Sequence, residues 1–225
     1  PVIKIGQLIK AFNASRNSGI LFHTDATAAA LVLSCDVSRL GVDLLSLGGA
    51  KTYGPHGVGL LYARRNCGVL PIQFGGQQEM GLRAGTQPVF LASGLATALD
   101  LIKSSRRADS AHFKKLHDKL LNELDKSGLT YIYNGHPRDR LFNVVSLILS
   151  AQFGDDMVAK LNVAGFEVAT GAACEASSDR PSRALMGIGL SVSQAQSSLR
   201  VSFGRATKLR EVVSFVGALV DIINS

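Results

Sequence analysis

The sequence predicts an α/β fold in which a helix-covered sheet is followed by a smaller α+β domain. Three short apolar runs near the start, at 20–25, 42–47 and 57–64, are separated by turn-forming or helical segments. Runs of this length bounded by turn residues are typical of buried strands. Buried strands with intervening helices favour a parallel or mixed sheet, in which ligands gather at the carboxyl ends of the strands.

Helices are predicted where apolar residues recur at three and four positions. Residues 3–17 show this spacing, and the stretch from Pro88 to about 103 is a long apolar helix. We expect that helix to end over 104–109, before a second helix over 110–126 with the same period.

In the remainder of the chain, short predicted strands alternate with short predicted helices. Strands are predicted at 129–133, 143–149, 166–170 and 198–204, and helices at 155–164, near Pro181 and from about Lys208. This change in the pattern of predicted elements indicates a domain boundary near 100–108. The first domain, an α/β domain, then covers 1–104, and the second, smaller α+β domain covers 105–225.

Composition narrows the classes of function. The chain has 225 residues, 46% hydrophobic and 18% charged, as in a globular protein, and its longest apolar run falls short of the ~20 residues of a membrane helix. The net charge of +7 is scattered, whereas nucleic-acid binding requires clustered basic residues, so anionic small molecules or acidic partners fit better. A start without Met or a signal segment predicts a processed product or a fragment.

Cysteine and histidine usage favours a reducing compartment without a metal site. Cys35, Cys67 and Cys174 form no CxxC pair, and the five histidines are dispersed. Cys174 lies in a loop of small and polar residues, so it is either a reactive thiol or a buried structural one. Cys35 and Cys67 are interpreted as structural or incidental thiols.

Other residues are candidates for a site because of their positions. Asp25 and Lys51 follow predicted strand ends and could face one crevice, although Lys51 could equally be an ordinary surface charge. Arg200 lies on a predicted strand among serines, either as a clamp for a carboxylate or as a rim arginine. Arg83 and Thr86 lie in a glycine-framed turn that suits a phosphate or forms a plain loop.

Five motifs in order give a more specific indication. They are "HTDATAAA", "GVDLLSLGGAKTYGPHGVGLLYARR", "FGGQQEMGLRAGT", "VATGAACEASSDRPSRAL" and "SSLRVSFGR". Together they resemble the class V aminotransferase fold, and within it the group of cysteine desulfurases and selenocysteine lyases. The resemblance spans essentially the whole chain but only the later part of a full family member, and so implies that residues 1–104 are the C-terminal part of its large α/β domain. It implies a fold type I, pyridoxal 5'-phosphate-dependent enzyme that forms a homodimer.

The resemblance also implies roles for single residues. Lys51 matches the lysine that holds pyridoxal phosphate as a Schiff base, and Asp25 the aspartate that pairs with the pyridine nitrogen. Cys174 matches the cysteine that takes sulfur or selenium from the substrate as a persulfide, leaving alanine. Arg200 matches the arginine for the substrate carboxylate. Thr86 matches a threonine that reaches the phosphate of the neighbouring subunit.

The chain departs from the family pattern at three cofactor contacts. Gly48 and Ala50 replace a serine and a histidine beside the lysine, and Ala28 replaces a glutamine. Hydrogen bonds to charged groups contribute about 1.5–3 kcal/mol each, so these changes predict weaker cofactor binding. The family's cofactor-stacking histidine and phosphate loop belong to a region before the first residue given.

Three hypotheses follow. The chain is a truncated lyase of cysteine or selenocysteine, a degenerate homologue kept for dimerisation or interaction, or a sibling that acts on another amino acid. Cys174 argues against the third hypothesis. Pro181, seven residues after Cys174, has desulfurase spacing, whereas the Gly-Ala-Ala-Cys wording favours selenocysteine. The expected setting is the cytoplasm, or alternatively the mitochondrion, with a sulfur or selenium acceptor protein as partner.

Overall fold

The computed structural model describes residues 1–149, 154–171 and 181–224. The chain divides into two compact units, Pro1–Arg107 and Ala108–Ser225. Within the described residues, no helix is long and apolar enough to cross a membrane.

The first unit contains a three-stranded mixed sheet, as the apolar runs predict. Its strands are β1 (His23–Asp25), β2 (Leu44–Gly48) and β3 (Gly59–Ala63), in the order β1-β2-β3. β1 runs parallel to β2, so Asp25 pairs with Ser46, and β3 is antiparallel to β2. β1 is shorter and less buried than its apolar run predicts, and its residues His23 and Asp25 are exposed.

Helices of the first unit pack around a small apolar core. They are α1 (Val2–Arg16), which confirms the predicted helix, α2 (Val37–Leu40) and the first part of α3 (Val89–Ser127), with short 3-10 helices at Ala50–Thr52 and Gln78–Gly81. A β carbon at Gly6 would lie 2.4 Å from the carbonyl oxygen of Leu40, so glycine allows α1 to approach the end of α2. The core beside the sheet consists of Ala26, Ala30, Val42, Leu45 and Leu47.

The predicted helix end over 104–109 is wrong, since α3 continues without interruption over 39 residues. Residues 104–109 contain neither glycine nor proline, and their arginines and alanine are good helix formers. Ser104 donates its hydroxyl to the carbonyl oxygen of Leu101 at 2.8 Å, a bond compatible with the helix. Asp109 is buried and accepts from the Nε and Nη2 of Arg205 at 2.9 and 2.7 Å, which stabilises the helical segment.

The second unit contains an antiparallel sheet of β4 (Tyr131–Tyr133), β5 (Val144–Leu149) and β6 (Ser198–Ser202), in that order. Its helices are the later part of α3, α4 (Gly154–Val163), α5 (Arg183–Gly187), α6 (Val192–Gln196) and α7 (Leu209–Asn224). The buried apolar residues of this unit include Phe113, Leu116, Leu120, Leu124, Val145, Leu147, Leu149, Met157, Leu161, Leu199 and Leu219.

Two features of the second unit differ from expectation. The predicted strand at 166–170 is reduced to an isolated bridge between Ala169 and Arg200. Helix α6 was not expected, although Ser191 and Gln194 form a capping box that a Ser-x-x-Gln pattern can indicate.

Candidate functional site

A tight turn presents Lys51 at the end of β2. The carbonyl oxygen of Gly49 accepts from the backbone N–H groups of Thr52 and Gly54, both at 3.0 Å, and from the Thr52 hydroxyl at 2.9 Å. Thr52 is fully buried, whereas Lys51, its neighbour in the same 3-10 helix, is exposed. The turn therefore fixes the backbone of Lys51 and leaves its side chain outside the core.

Position 49 requires glycine because the neighbouring atoms leave no room for a side chain. The backbone conformation of Gly49 is not the reason, since it is in the right-handed helical region, which any residue can adopt. A β carbon there, however, would lie 2.3 Å from the carbonyl oxygen of Pro55 and 2.9 Å from a methyl carbon of Val58. Pro55 in turn lies against α3, where a β carbon at Gly94 would be 2.6 Å from its ring.

Asp25 ends the neighbouring strand on the same edge of the sheet. Its Oδ1 accepts from the backbone N–H of Thr27 at 2.9 Å. The Thr27 hydroxyl, the Thr27 N–H and, more weakly, the positive charges of Lys51 and His23 lower the pKa of this carboxyl, against a small opposing effect of burial. Asp25 is therefore ionised at neutral pH. Since β1 and β2 are parallel and Asp25 lies opposite Ser46, Asp25 and the Lys51 turn follow at the same end of this sheet.

Two polar residues near Asp25 were missed in the sequence. The Nε2 atom of His23 lies 3.0 Å from the hydroxyl of Ser46 on β2. The backbone N–H of Thr27 donates to the Asp25 carboxylate. An aspartate followed two residues later by a backbone donor is a common local turn, so the Asp-x-Thr pattern could have indicated Thr27.

The three positions that depart from the family pattern carry no polar side chain. Ala28 and Ala50 are exposed. Gly48 is half-buried, and a β carbon there would lie 3.2 Å from the Thr27 methyl carbon.

Thr86 lies at the surface, three residues before α3 begins at Val89. The adjoining Gly85 has a φ of +105°, a conformation that favours glycine, and its N–H donates to the Gln78 side chain at 3.3 Å. Among the hydrogen bonds of the described residues, none joins Thr86 to Asp25 or Lys51.

Arg200 is half-buried on β6 of the second unit. Its Nη1 donates to the carbonyl oxygen of Gly171 at 2.7 Å, and its backbone pairs with Ala169. Gly171 is the last described residue before the segment that carries Cys174, and Cys174 itself lies outside the described residues. Arg200 therefore anchors the chain where it enters that segment.

The other cysteines have the surroundings of structural thiols. Cys67 is buried, and burial raises the pKa of the Cys35 thiol, so Cys35 is protonated at neutral pH. Within the described ranges, no group of three or more His, Cys, Asp or Glu side chains could hold a metal ion.

The mixed α/β architecture agrees with the fold expected from the resemblance. The chain belongs to the class V aminotransferase family, whose model matches residues 2–215. Proteins of this family and the cysteine desulfurases depend on pyridoxal phosphate, so the expected fold, family and cofactor class are confirmed.

Within the family, the chain is similar to individual cysteine desulfurases. The chain is 38% identical over 225 residues to cysteine desulfurase IscS of Shewanella denitrificans, covering 99% of this chain and 54% of the relative. It is 35% identical over 223 residues to IscS of Methanosarcina thermophila, again covering 99% and 54%. A NifS-like protein from Rickettsia africae has the same fold, with a TM-score of 0.88, 22% identity and coverage of 100% of this chain and 57% of that chain. The chain spans about half the length of the curated relatives it matches.

Proposed function

We propose that this chain carries the lysine, the aspartate and the reactive cysteine of a pyridoxal phosphate-dependent cysteine desulfurase. The observation that carries the proposal is that the parallel pairing of β1 with β2 places Asp25 and the Lys51 turn at the same end of the sheet. The similarity to IscS proteins supports the same reaction class.

The residues present fit the cofactor at two groups, its aldehyde and its pyridine nitrogen. Lys51 supplies a primary amine on a rigid turn, and Asp25 supplies an anion that favours a protonated pyridine nitrogen. When bound, pyridoxal phosphate provides the electron sink that weakens bonds at the substrate's carbon atoms. Ala28, Gly48 and Ala50 give the ring and phosphate no side-chain hydrogen bonds, so affinity rests on fewer contacts than in the family pattern.

The other proposed residues act on the substrate. Arg200 would hold the cysteine carboxylate with its planar fork of donors. The thiolate of Cys174 would form a sulfur–sulfur bond with the substrate sulfur while the substrate's carbon–sulfur bond breaks. The remaining carbon skeleton takes a proton and leaves as alanine. An acceptor protein would then take the sulfur from the Cys174 persulfide.

A homodimer is part of the proposal. The stretch that contains Thr86, which we expect to reach the neighbouring subunit, exposes large apolar side chains: Leu70, Ile72, Phe74, Met80, Val89 and Phe90. Ile72 is 96% exposed, and such an apolar surface is typical of an interface. We infer that a second copy covers it. Sedimentation equilibrium should show a dimer that Ile72→Ser weakens and that the exposed, polar Gln87→Ser does not. A concentration-independent monomer would contradict the inference.

A degenerate homologue is the second candidate, favoured by Gly48, Ala50 and Ala28. Titration with pyridoxal phosphate separates the two candidates. We expect a visible absorbance band, and borohydride reduction should fix a pyridoxyl group that peptide mass spectrometry locates on Lys51. Lys51→Ala should abolish both signals, while Lys103→Ala on α3 should retain them. Labelling that is absent, or equal in the two variants, would contradict cofactor binding by this chain, and the same titration on a longer form would then separate a truncated lyase from a degenerate homologue.

Substrate preference is tested on the loaded protein. We expect alanine and Cys174-bound sulfur from cysteine, with selenocysteine as the alternative substrate, and loss of both activities in Cys174→Ser. Cys174 as a reactive thiol agrees with a reducing compartment, for which we propose the cytoplasm or the mitochondrion.

A further inference from the structure

A cavity of about 460 Å³ lies in the first unit, where α1 and α2 meet the sheet. Val42 and Asp43, which line it, come directly before β2, and Arg64, another lining residue, directly follows β3. Asp25 and the Lys51 turn follow at the other end of β1 and β2. The cavity is therefore separate from the candidate site, and its volume is that of a small-molecule pocket.

Two polar side chains of the cavity have their hydrogen bonds within the protein. The Asn13 amide donates to the carbonyl oxygen of Ile20 at 2.8 Å and accepts from the Ile20 N–H at 3.1 Å. The Asp43 carboxylate accepts from the Phe22 N–H at 2.9 Å and from Nε of Arg64 at 2.5 Å. Asp43 therefore holds the Arg64 guanidinium by one nitrogen and leaves its two Nη nitrogens for another acceptor.

The other polar groups of the lining are donors that have no hydrogen-bond partner among the described residues. They are Nζ of Lys10, the hydroxyls of Ser38 and Tyr62, and the Nη nitrogens of Arg64. Two of these residues are cations, whereas Asp43 is the one carboxylate of the described lining. The lining is therefore net positive and rich in unused donors, which favours an anionic ligand.

Close packing of α1 on the end of α2 shapes the cavity. Gly6 and Gly41 both line it, and a β carbon at Gly41 would lie 3.6 Å from the Cα of Gly6. A β carbon at Gly6 would lie 2.4 Å from the carbonyl oxygen of Leu40. Because this contact is backbone against backbone, it fixes the separation of the two helices that carry Lys10 and Ser38.

We propose that this cavity binds a small organic phosphate. The two Nη nitrogens of Arg64 form a planar fork that matches two phosphate oxygens, and Lys10 adds a point charge. The donors come from α1, α2 and β3, so they reach the ligand from different sides. That arrangement suits the three terminal oxygens of a phosphate monoester better than the two coplanar oxygens of a carboxylate. The apolar part of the lining, which contacts the organic group, is Ile9, Val37 and Val42.

Titration of the full chain with phenyl phosphate, followed by amide NMR shifts, tests the proposal. We expect saturable shifts of the amides of residues 6–13 and 37–43. Lys10→Gln should weaken binding about tenfold, since it removes one charged contact. Tyr62→Phe keeps the ring that packs against the core and should weaken binding by a similar factor. Lys4→Gln, an exposed lysine of α1 outside the lining, is the matched control and should leave binding unchanged.

These variants keep the test independent of folding. The Lys10 amine and the Tyr62 hydroxyl have no hydrogen-bond partner in the described structure, so their removal breaks no bond within the protein. Arg64→Gln would also leave Asp43 without its ion-pair partner and is less suitable. Equal affinity for phenyl phosphate in the wild type, Lys10→Gln and Tyr62→Phe would overturn the proposal. Benzoate that binds as tightly as phenyl phosphate would overturn the assignment to phosphate.

The proposal goes beyond the proposed function and does not depend on it. Lys51→Ala should keep the affinity for phenyl phosphate although it loses pyridoxyl labelling. Shifts confined to the Lys51 turn, or loss of phenyl phosphate binding in Lys51→Ala, would refute a second site. Absent labelling with intact phenyl phosphate binding would refute the proposed function and support this cavity.

Discussion

Replacing Gly49 with alanine should displace the turn that carries Lys51. The new β carbon would lie 2.3 Å from the carbonyl oxygen of Pro55, whereas carbon and oxygen atoms ordinarily approach to about 3.3 Å. The turn and Pro55 must therefore separate by about 1 Å. Pro55 cannot retreat freely, because its ring lies against the backbone of α3 at Gly94.

The magnitude follows from these contacts. Overpacking of a well-packed site costs about 1–3 kcal/mol. Stretching the bond from the Gly49 N–H to the carbonyl oxygen of Val58, now 2.9 Å, adds about 1 kcal/mol. Alanine also lowers the conformational entropy of the unfolded chain relative to glycine, which stabilises the folded state by about 0.4–1 kcal/mol. We therefore expect a net destabilisation of the first unit by about 2 kcal/mol.

Hydrogen exchange of the Thr52 and Gly54 amides measures this effect, because both donate to the carbonyl oxygen of Gly49. Their protection should fall in Gly49→Ala, and cofactor labelling of Lys51 should fall with it. Gly19→Ala is the matched control, since a β carbon at Gly19 meets nothing within 4 Å. Unchanged protection of both amides in Gly49→Ala would refute the argument from space.

Two further predictions concern the second unit. Burial lowers the pKa of His117, against the opposing effect of Asp118, so the unfolded chain takes up a proton at a higher pH than the folded one. The free energy of unfolding of this unit should therefore fall as the pH drops below about 6.5, and it should fall less steeply in His117→Gln. Hydrogen exchange of the β5 amides between pH 7.5 and 5 measures this dependence. Parallel pH profiles for the wild type and His117→Gln would contradict the prediction. Arg205→Lys should destabilise the same unit by about 2 kcal/mol, because one ammonium cannot replace both donors to the buried Asp109. Urea unfolding measures this loss against the exposed Arg210→Lys, and equal midpoints would count against it.

Local patterns in the sequence were sufficient for much of the fold. The apolar runs identified all three strands of the first sheet, and β1 ends at Asp25 as expected. Helical periodicity identified α1, α4 and α7, because the side of a helix that meets the core repeats every three to four residues. The five motifs identified the family because their order and wording are specific.

The errors arose where distant contacts override local pattern. Ser-Ser-Arg-Arg-Ala-Asp resembles a helix exit, yet α3 continues through it, with Asp109 bound by a residue 96 positions later. The run at 20–25 has the composition of a buried strand, but only residues 23–25 pair with β2, and His23 and Asp25 are exposed.

The sequence by itself determined the family, the cofactor class and the identity of Lys51 and Asp25 as candidates, since these depend on residue type and order along the chain. Tertiary structure decided how those candidates are held. Gly49 fits between the carbonyl oxygen of Pro55 and a methyl group of Val58, and the ring of Pro55 in turn lies against α3 at Gly94. The parallel pairing of β1 with β2 places Asp25 at the same end of the sheet as Gly48, three residues before Lys51. These are relations between residues of different elements, and only packing in three dimensions sets them.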